Sequence, residues 1–166
     1  MRIVVIVATD AELLFKGFGR DIRVCGPVLR VWNEHRQIGA KAEAFGVLVG
    51  TTSFDKKTVW IEAVTTPMRL DLRWRFGFRL LDKGHELTVR RMFEQSCRQR
   101  IYLGTWHTHP ETVPTPSKVD TRDWMACHRA NPGRPLVFVV VGTARTQVFV
   151  RTRRGFRPLQ RAIGAS

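Results

Sequence analysis

A chain of 166 residues with 43% hydrophobic and 25% charged residues has the size and composition of one soluble globular domain and is too apolar to be disordered. Its 28 Lys and Arg residues against 14 Asp and Glu give a net charge of +14, and no acidic residue follows Asp123. Such a surface attracts acidic partners and holds nucleic acid loosely at low salt, but no zinc-finger, homeodomain or RRM signature accompanies it. We therefore interpret the excess charge as a solvated Arg-rich surface that binds nucleic acid only non-specifically.

Cysteine usage and hydropathy indicate a soluble protein of a reducing compartment. Cys25, Cys97 and Cys127 are odd in number and include no CxxC pair, so no disulfide framework is expected and a cytoplasmic location fits best. The apolar opening at residues 3–8 is shorter than a signal-peptide core, and the run at 136–141 is too short to span a bilayer. We therefore expect no cleaved signal and no membrane partner.

Hydrophobic periodicity predicts strands and helices in the first half of the chain. The predicted elements are a strand pair at 3–8 and 12–16 with Thr9-Asp10 at the turn, a helix that opens at Gly26-Pro27, and neighbouring strands at 45–51 and 58–64. Residues 66–83 are crowded with Arg and aromatic side chains and are compatible with either a strand or an ordered loop.

The second half continues the same mixture of elements. The predicted elements are a helix after Gly84, a short buried strand at 101–106, a helix from Ser117 to Asn131-Pro132-Gly133, and a hairpin of strands at 136–141 and 147–151. Strands and helices interleave without strict βαβ regularity. This order predicts an α/β domain with a mixed sheet and helices on its faces.

The segment from Gly104 to Asp120 carries the residues best suited to chemistry. Side chains at i and i+2 of a strand point to the same face, so His107 and His109 can present both imidazoles to one point. Three prolines stiffen the connection that follows, and Asp120 lies in the first turn of the helix from Ser117, where the helix dipole favours an ionised carboxylate. Two histidines and one carboxylate, with a fourth position left for water, form a catalytic rather than a structural zinc pattern.

A purely structural interpretation of these residues is also open. Ser117 and Asp120 suit a helix N-terminus, with Ser as the cap and Asp reaching back to it. A His-x-His pair alone is common in strands and is a weak signal. The convergence of two imidazoles, a stiff loop and a helix-start carboxylate within fourteen residues favours the metal site.

The spacing resembles the motif of the JAMM (MPN-plus, JAB) metallopeptidases, which is a distant upstream Glu, then His-x-His, seven residues, Ser, two residues and Asp. His107, His109, Ser117 and Asp120 match this spacing without a gap, and Glu43 precedes a Gly-rich apolar run as the upstream Glu does. The resemblance implies that Glu43 is the general base, which takes a proton from the attacking water and returns it to the leaving amine. It also implies that Ser117 hydrogen-bonds the oxyanion.

The same resemblance implies the architecture of the domain. The expected fold is an α/β/α sandwich around a curved mixed sheet (the MPN/JAB fold). We expect one domain over residues 1–166, with a motif-bearing core at about 26–151 and a basic C-terminal segment at 151–166.

A narrower resemblance points to small bacterial JAB proteins of cyclic-oligonucleotide antiphage (CBASS) operons. Those proteins release a cGAS-like nucleotidyltransferase (CD-NTase) whose C-terminus an E1–E2-like enzyme has joined to a target lysine. The resemblance implies a zinc-dependent isopeptidase with this conjugate as substrate and the E1–E2-like enzyme in the same pathway. The segments that carry it are Tyr102–Glu111, Pro114–Ser117, Asp123-Trp124, and Phe76–Arg79 followed by Gly84-His85.

Two alternatives differ in substrate or in function class. The chain could process a ubiquitin-like or sulfur-carrier protein, or it could be a catalytically silent JAB scaffold that binds protein or nucleic acid through its Arg-rich face. The complete Glu/His/His/Ser/Asp set speaks against silence. Among the remaining residues, His35, His85 and His128 are interpreted as surface or core histidines, and Trp74 and Trp124 as candidates to line a substrate groove.

Overall fold

A mixed sheet of nine strands runs through residues 11–162, the part of the chain that the computed structural model describes. Three helices and a separate two-stranded hairpin complete these residues. The strands are β1 (Ala11–Gly17), β2 (Arg20–Cys25), β3 (Phe45–Thr52), β4 (Thr58–Val64), β5 (Leu72–Trp74), β6 (Gly77–Arg79), β7 (Ile101–Thr108), β8 (Val137–Val141), β9 (Thr146–Thr152), β10 (Gly155–Pro158) and β11 (Gln160–Ala162). The helices are α1 (Gly26–His35), α2 (Gly84–Gln95) and α3 (Lys118–Ala130).

Two parallel pairs make the sheet mixed. Its order is β10-β9-β8-β7-β3-β4-β2-β1-β11, in which β2 pairs parallel with β4 and β7 pairs parallel with β8. Parallel neighbours need a crossover connection, and α3 supplies it between β7 and β8. The end of β7 and the beginning of α3 therefore lie at the same edge of the sheet, where ligands bind in α/β folds.

The sheet curves until its two ends almost meet. Only Leu159 separates β10, which pairs with β9 at one end, from β11, which pairs with β1 at the other. Leu159 is buried, and its N–H donates to the carbonyl oxygen of Val148 at 2.8 Å. The C-terminal segment, predicted only as basic, therefore joins the two edges of a nearly barrel-shaped sheet.

Apolar layers cover both faces of the sheet. Alternate residues of β8 enter opposite layers, with Val139 in the larger cluster and Phe138 in the smaller one. Trp32 of α1 joins the larger cluster and Trp124 of α3 joins the smaller one. Because β8 is buried on both faces, its sequence is a continuous apolar run instead of an alternating one.

The sequence predicted most of these elements. The predicted helices correspond to α1, α2 and α3, and the predicted strands from residue 45 onward correspond to β3, β4, β7, β8 and β9. The expected mixed α/β fold with helices on both faces of a curved sheet is confirmed. Within residues 11–162, no helix has the length and apolarity that a membrane crossing requires.

The N-terminal pairing differs from the prediction. The strand at 12–16 is present as β1, but the strand that follows it is β2, and the predicted partner at 3–8 lies outside the described residues. The turn between β1 and β2 is Phe18-Gly19, and both residues have positive φ angles, as does Gly17 at the end of β1. Charged residues alternate with Ile22 and Val24 in β2, and this half-buried pattern was overlooked.

Residues 66–83, for which the sequence left two choices, contain the hairpin of β5 and β6. The carboxylate of Asp71 closes its base by accepting hydrogen bonds from the backbone N–H groups of Met68 (2.8 Å), Leu81 (2.8 Å) and Asp82 (2.9 Å). Asp71 also lies 2.8 Å from His85 Nε2, and the side chains of this pair are 1% and 2% exposed. The hairpin is thus fixed to the start of α2.

Protonation of Asp71 would weaken this network. Burial would raise its pKa, but the bonds from Met68, Asp82, His85 and Leu81 outweigh burial and lower the pKa to about 2. Because the folded pKa lies below the ordinary value of 3.8, the carboxylate stabilises the fold fully above about pH 4. This contribution is lost as the pH falls towards 2.

Replacing Asp71 with Asn tests the network. An amide cannot accept at both of its terminal atoms, so at least one of these donors loses its partner, and we expect the free energy of unfolding to fall by on the order of 3 kcal/mol at pH 7. The difference from the unmodified protein should shrink below about pH 4. Urea denaturation at pH 7 and below about pH 4 measures this difference in stability, with the exposed Glu94→Gln as the control. Equal stability of the two variants at pH 7 would contradict the assignment.

Candidate active site

Three side chains with metal-binding atoms meet at the end of β7. The Nε2 atoms of His107 and His109 are 3.1 Å apart. Asp120 Oδ1 lies 3.3 Å from His107 Nε2, and its Oδ2 lies 3.4 Å from His109 Nε2. The ligand atoms of all three residues lie within 4.8 Å of one another. The predicted His-His-Asp cluster is therefore assembled in the structure.

A bulge in β7 turns His107 towards this cluster. Pairing with β3 shifts register by one residue at Leu103, so that Trp106 enters the larger core layer and His107 faces the other way. Gly104 makes the bulge feasible, because its φ is +127° and a Cβ there would collide with the carbonyl oxygen of Val137. The glycine three residues before His107 thus has a geometric function.

Asp120 makes both sets of contacts that the sequence left as alternatives. It forms a capping box with Ser117, since Ser117 N–H donates to Asp120 Oδ2 at 2.6 Å and Asp120 N–H donates to Ser117 Oγ at 3.1 Å. The same carboxylate faces both histidines. Burial would raise its pKa, but hydrogen bonds with His107, His109 and Ser117 hold the pKa of Asp120 well below its usual range. The carboxylate is therefore ionised at neutral pH.

The two histidines have opposite pKa shifts. Burial lowers the pKa of His107 more than its contacts with Asp120 raise it, so a neutral imidazole is favoured. Burial is also the largest influence on His109, but Asp120, Glu43 and Glu111 together outweigh it and raise its pKa. Glu111 Oε2 lies 3.9 Å from Nδ1 of His109, on the side of the ring away from the cluster, which leaves Nε2 directed at the other two side chains.

Glu43 lines the same cavity from the segment that precedes β3. It is 5% exposed, and its backbone N–H donates to the carbonyl oxygen of Trp74 in β5 at 2.9 Å. Burial raises the pKa of Glu43 to about 7, with His109 lowering it and Asp120 raising it further. A carboxyl group with a pKa near 7 suits a residue that both accepts and donates a proton at neutral pH.

A cavity of about 1010 Å³ extends from the cluster between α2 and α3, over β7 and under the hairpin. Phe78 of β6 stacks on Phe45 with ring centres 4.2 Å apart and lies 5.5 Å from the ring of His107. Trp74 and Trp124, both predicted as groove residues, line this cavity, as do Glu43 and Ser117. The site is thus an apolar groove with a polar cluster at one end.

Sequence reasoning missed the buried polar groups that support the site. Gln37 and Thr108 were not singled out, although both are buried beside the motif. His85, interpreted as a surface or core histidine, is buried and lies 2.6 Å from Thr65 Oγ1 through its Nδ1. The position of Thr108 between the two histidines was the only local signal, since the partners of Gln37 and His85 are distant in sequence.

The comparisons with known proteins agree with this geometry. A family described as "Prokaryotic homologs of the JAB domain" matches residues 27–154. The chain belongs to the prokaryotic JAB family. Among solved structures, the JAB domain described above is similar to the solution structure of a Desulfitobacterium hafniense protein, with a TM-score of 0.56 and 21% identity over 82% of this chain and 88% of that one. At this identity the structural likeness supports the fold alone.

Three curated relatives of this JAB domain carry the name "CD-NTase/cGAS isopeptidase". The Escherichia coli protein is 28% identical over 92% of this chain and 96% of its own length. The Pseudomonas aeruginosa protein is 34% identical over 69% of this chain and 72% of its own, and the Vibrio cholerae protein is 33% identical over 70% and 74%. The family and these relatives support a hydrolase.

The capping box gives a first test of how the JAB site is built. Ser117→Ala removes the acceptor of Asp120 N–H, and we expect it to lower the free energy of unfolding by about 1 kcal/mol. Ser117→Thr keeps an N-cap oxygen, so its free energy of unfolding should stay close to that of the unmodified protein. Urea denaturation of both variants in a chelator isolates the cap from any bound metal. If the alanine variant is as stable as the threonine variant, the cap does not stabilise α3.

Proposed function

We propose that this JAB domain is a zinc-dependent isopeptidase that hydrolyses the bond after the C-terminus of a CD-NTase joined to target lysines in CBASS antiphage defence. The observation that carries the proposal is the cluster of His107, His109 and Asp120 beside the buried Glu43 at the end of an apolar groove. The names of the three relatives support the choice of substrate. An E1–E2-like enzyme that makes the conjugate is the partner that this pathway requires.

The donor set of the site suits zinc. Two imidazole nitrogens and one carboxylate are the ligands of many catalytic zinc sites, which keep a further position for water or substrate. His107, His109 and Asp120 would hold the ion, which when bound polarises a carbonyl and lowers the pKa of water. The neutral His107 and the ionised Asp120 have the protonation states that a cation requires.

We assign the proton transfers to Glu43 and stabilisation of the oxyanion to Ser117. As a carboxylate, Glu43 accepts a proton from the attacking water and delivers it to the leaving lysine amine, so it ends the cycle in its starting state. The oxygen of the water stays on the new C-terminal carboxylate. Ser117 Oγ accepts a bond from Asp120 N–H, which leaves its own proton available for the oxyanion on the scissile carbonyl.

The hairpin offers an edge for an extended C-terminal tail. Among the described residues, β6 pairs with β5 alone, and Gly77, Phe78 and Arg79 line the groove. A tail added as a strand along β6 would gain backbone hydrogen bonds and pockets for alternate side chains. Exposed Arg residues between Arg69 and Arg79 suit a partly acidic tail, and the aromatic residues there suit its apolar positions.

The first prediction from the proposed function concerns the metal. We expect about one zinc per chain in the purified protein, loss of zinc in Asp120→Ala, and retention of zinc and fold in Glu43→Ala. Without its general base, Glu43→Ala should lose a factor of about 10²–10⁴ in turnover. Elemental analysis and peptidase assays measure both, with the exposed Glu94→Ala as the matched control.

Two results would contradict these assignments. A full complement of zinc in Asp120→Ala would remove Asp120 from the ligand set. Turnover near that of the unmodified protein in Glu43→Ala would assign the proton transfers to another group.

The second prediction concerns the substrate. A fusion that joins the C-terminus of the cognate CD-NTase to a reporter protein should be cut immediately after that C-terminus, and both chelator and Glu43→Ala should abolish the cut. Mass spectrometry of the products locates the bond. A parallel fusion of a ubiquitin-like or sulfur-carrier protein tests the alternative substrates. If only that fusion is cut, the metallopeptidase assignment survives and the CD-NTase assignment is wrong.

A further inference from the structure

Gln37 is a buried polar residue that belongs to no helix or strand. It lies in the segment between α1 and β3, and its relative exposure is 1%. Its neighbours Ile38, Gly39, Ala40 and Lys41 are exposed, so the segment runs over the surface and turns one amide inward. Burial of an amide destabilises the fold unless its N–H donors and its carbonyl acceptor have hydrogen-bond partners.

The amide of Gln37 bonds to its own segment and to two others that are distant in sequence. Its Nε2 donates to the carbonyl oxygens of Lys41 at 3.1 Å and of Arg75, at the tip of the hairpin, with a distance of 2.6 Å. Its Oε1 accepts from Thr108 Oγ1 at 3.3 Å. The two carbonyl acceptors fix which end of the amide is the NH₂ group, which leaves the oxygen for the hydroxyl.

Thr108 extends this network to both sides of the proposed site. It separates His107 from His109 in the sequence, and its hydroxyl oxygen accepts from Ala44 N–H at 2.9 Å while donating to Gln37. Thr108 N–H in turn donates to Ala44 O at 2.8 Å. The residue after Glu43 is thus held on both of its polar backbone groups by the residue between the two histidines.

The position of Glu43 depends on the same contacts. Glu43 lies in a segment without regular structure, between Lys41 and Ala44, and both of these bond to Gln37 or Thr108. Its own N–H bonds to the carbonyl of Trp74, next to the Arg75 carbonyl that Gln37 holds. One amide and one hydroxyl therefore hold the backbone on both sides of Glu43, at Lys41 and Ala44, and the residue that follows its partner Trp74.

We propose that Gln37, acting with Thr108, is a positioning residue that holds the Glu43 carboxylate at its working distance from the His107/His109/Asp120 cluster. The inference rests on the proposed function for its catalytic consequence. Glutamine is the side chain that supplies two N–H donors and one carbonyl acceptor at this reach, whereas Glu would present only acceptors to two carbonyl oxygens. The hairpin base is fixed independently by Asp71, so loss of Gln37 leaves the tail groove in place.

The decisive variants are Gln37→Leu and Thr108→Val. Misplacement of a reacting group by about 1 Å costs on the order of 10²-fold in rate, so we expect each variant to reduce kcat by about 10–100-fold on the CD-NTase fusion. KM should change less than about threefold, and zinc content should not change, because neither residue bonds to a ligand side chain. Thr108→Ser keeps the hydroxyl and should retain activity, and the exposed Gln95→Leu is the control for Gln37.

A second readout does not depend on activity. Hydrogen exchange at the amides of Glu43 and Ala44 should be at least tenfold faster in Gln37→Leu and Thr108→Val than in the unmodified protein, while exchange in β8 is unchanged. The kcat of the double variant should be no lower than that of the less active single variant, because both residues act through one network. Urea denaturation identifies any variant that does not fold. If one single variant is unfolded, the kinetics and exchange of the other single variant test the proposal.

The outcomes separate this inference from the proposed function. If the unmodified protein cuts no fusion, the proposed function fails, and hydrogen exchange alone decides whether Gln37 holds the Glu43 segment. Unchanged exchange in a folded Gln37→Leu overturns the inference. So does a kcat equal to that of the unmodified protein, or a loss confined to KM, in an enzyme that is otherwise active.

Discussion

Antiparallel pairing of β3 with β7, in the register that sets Phe45 opposite His107, fixes the geometry on which the site depends. A slip of one residue would turn His107 into the apolar core and Trp106 out of it. Two features prevent the slip: the bulge at Gly104, and the hydrogen bonds between Thr108 and Ala44, residues 64 positions apart in the sequence. Pairing of these two strands thus decides where Glu43 lies relative to the histidines.

The remaining parts of the site are attached to this pair. The crossover helix α3 returns the chain to β8 beside β7, and its first turn supplies Asp120 to the cluster. The hairpin of β5 and β6 also contacts this pair, since Phe78 stacks on Phe45 and the carbonyl oxygen of Trp74 accepts the N–H of Glu43. Both α3 and the hairpin thus contact residues within or next to the β3–β7 pairing. The groove and the polar cluster are therefore built on the same two strands.

The sequence predicts the parts of this arrangement that are local and not the parts that depend on distant contacts. His107, His109 and Asp120 could be grouped because strand alternation and a helix start fix their geometry within fourteen residues. Glu43 needed the family resemblance, since nothing in its own surroundings shows which strand it faces. Gln37 and the strands β10 and β11 were missed, because a single amide has no pattern and because Arg residues hide the alternation of a short edge strand.

The cluster illustrates how folding alone sets the protonation states of neighbouring polar side chains. Three polar side chains are drawn into a partly buried space, which by itself would disfavour every charge there. Hydrogen bonds with His107 and His109, and more weakly with Ser117, outweigh burial and keep the carboxylate of Asp120 ionised, whereas burial of His107 favours its neutral form. A cation that binds there meets one negative charge and displaces no proton from His107. The capping box contributes to the same result, because Ser117 N–H donates to the Asp120 carboxylate and so helps to maintain the charge that a metal would use.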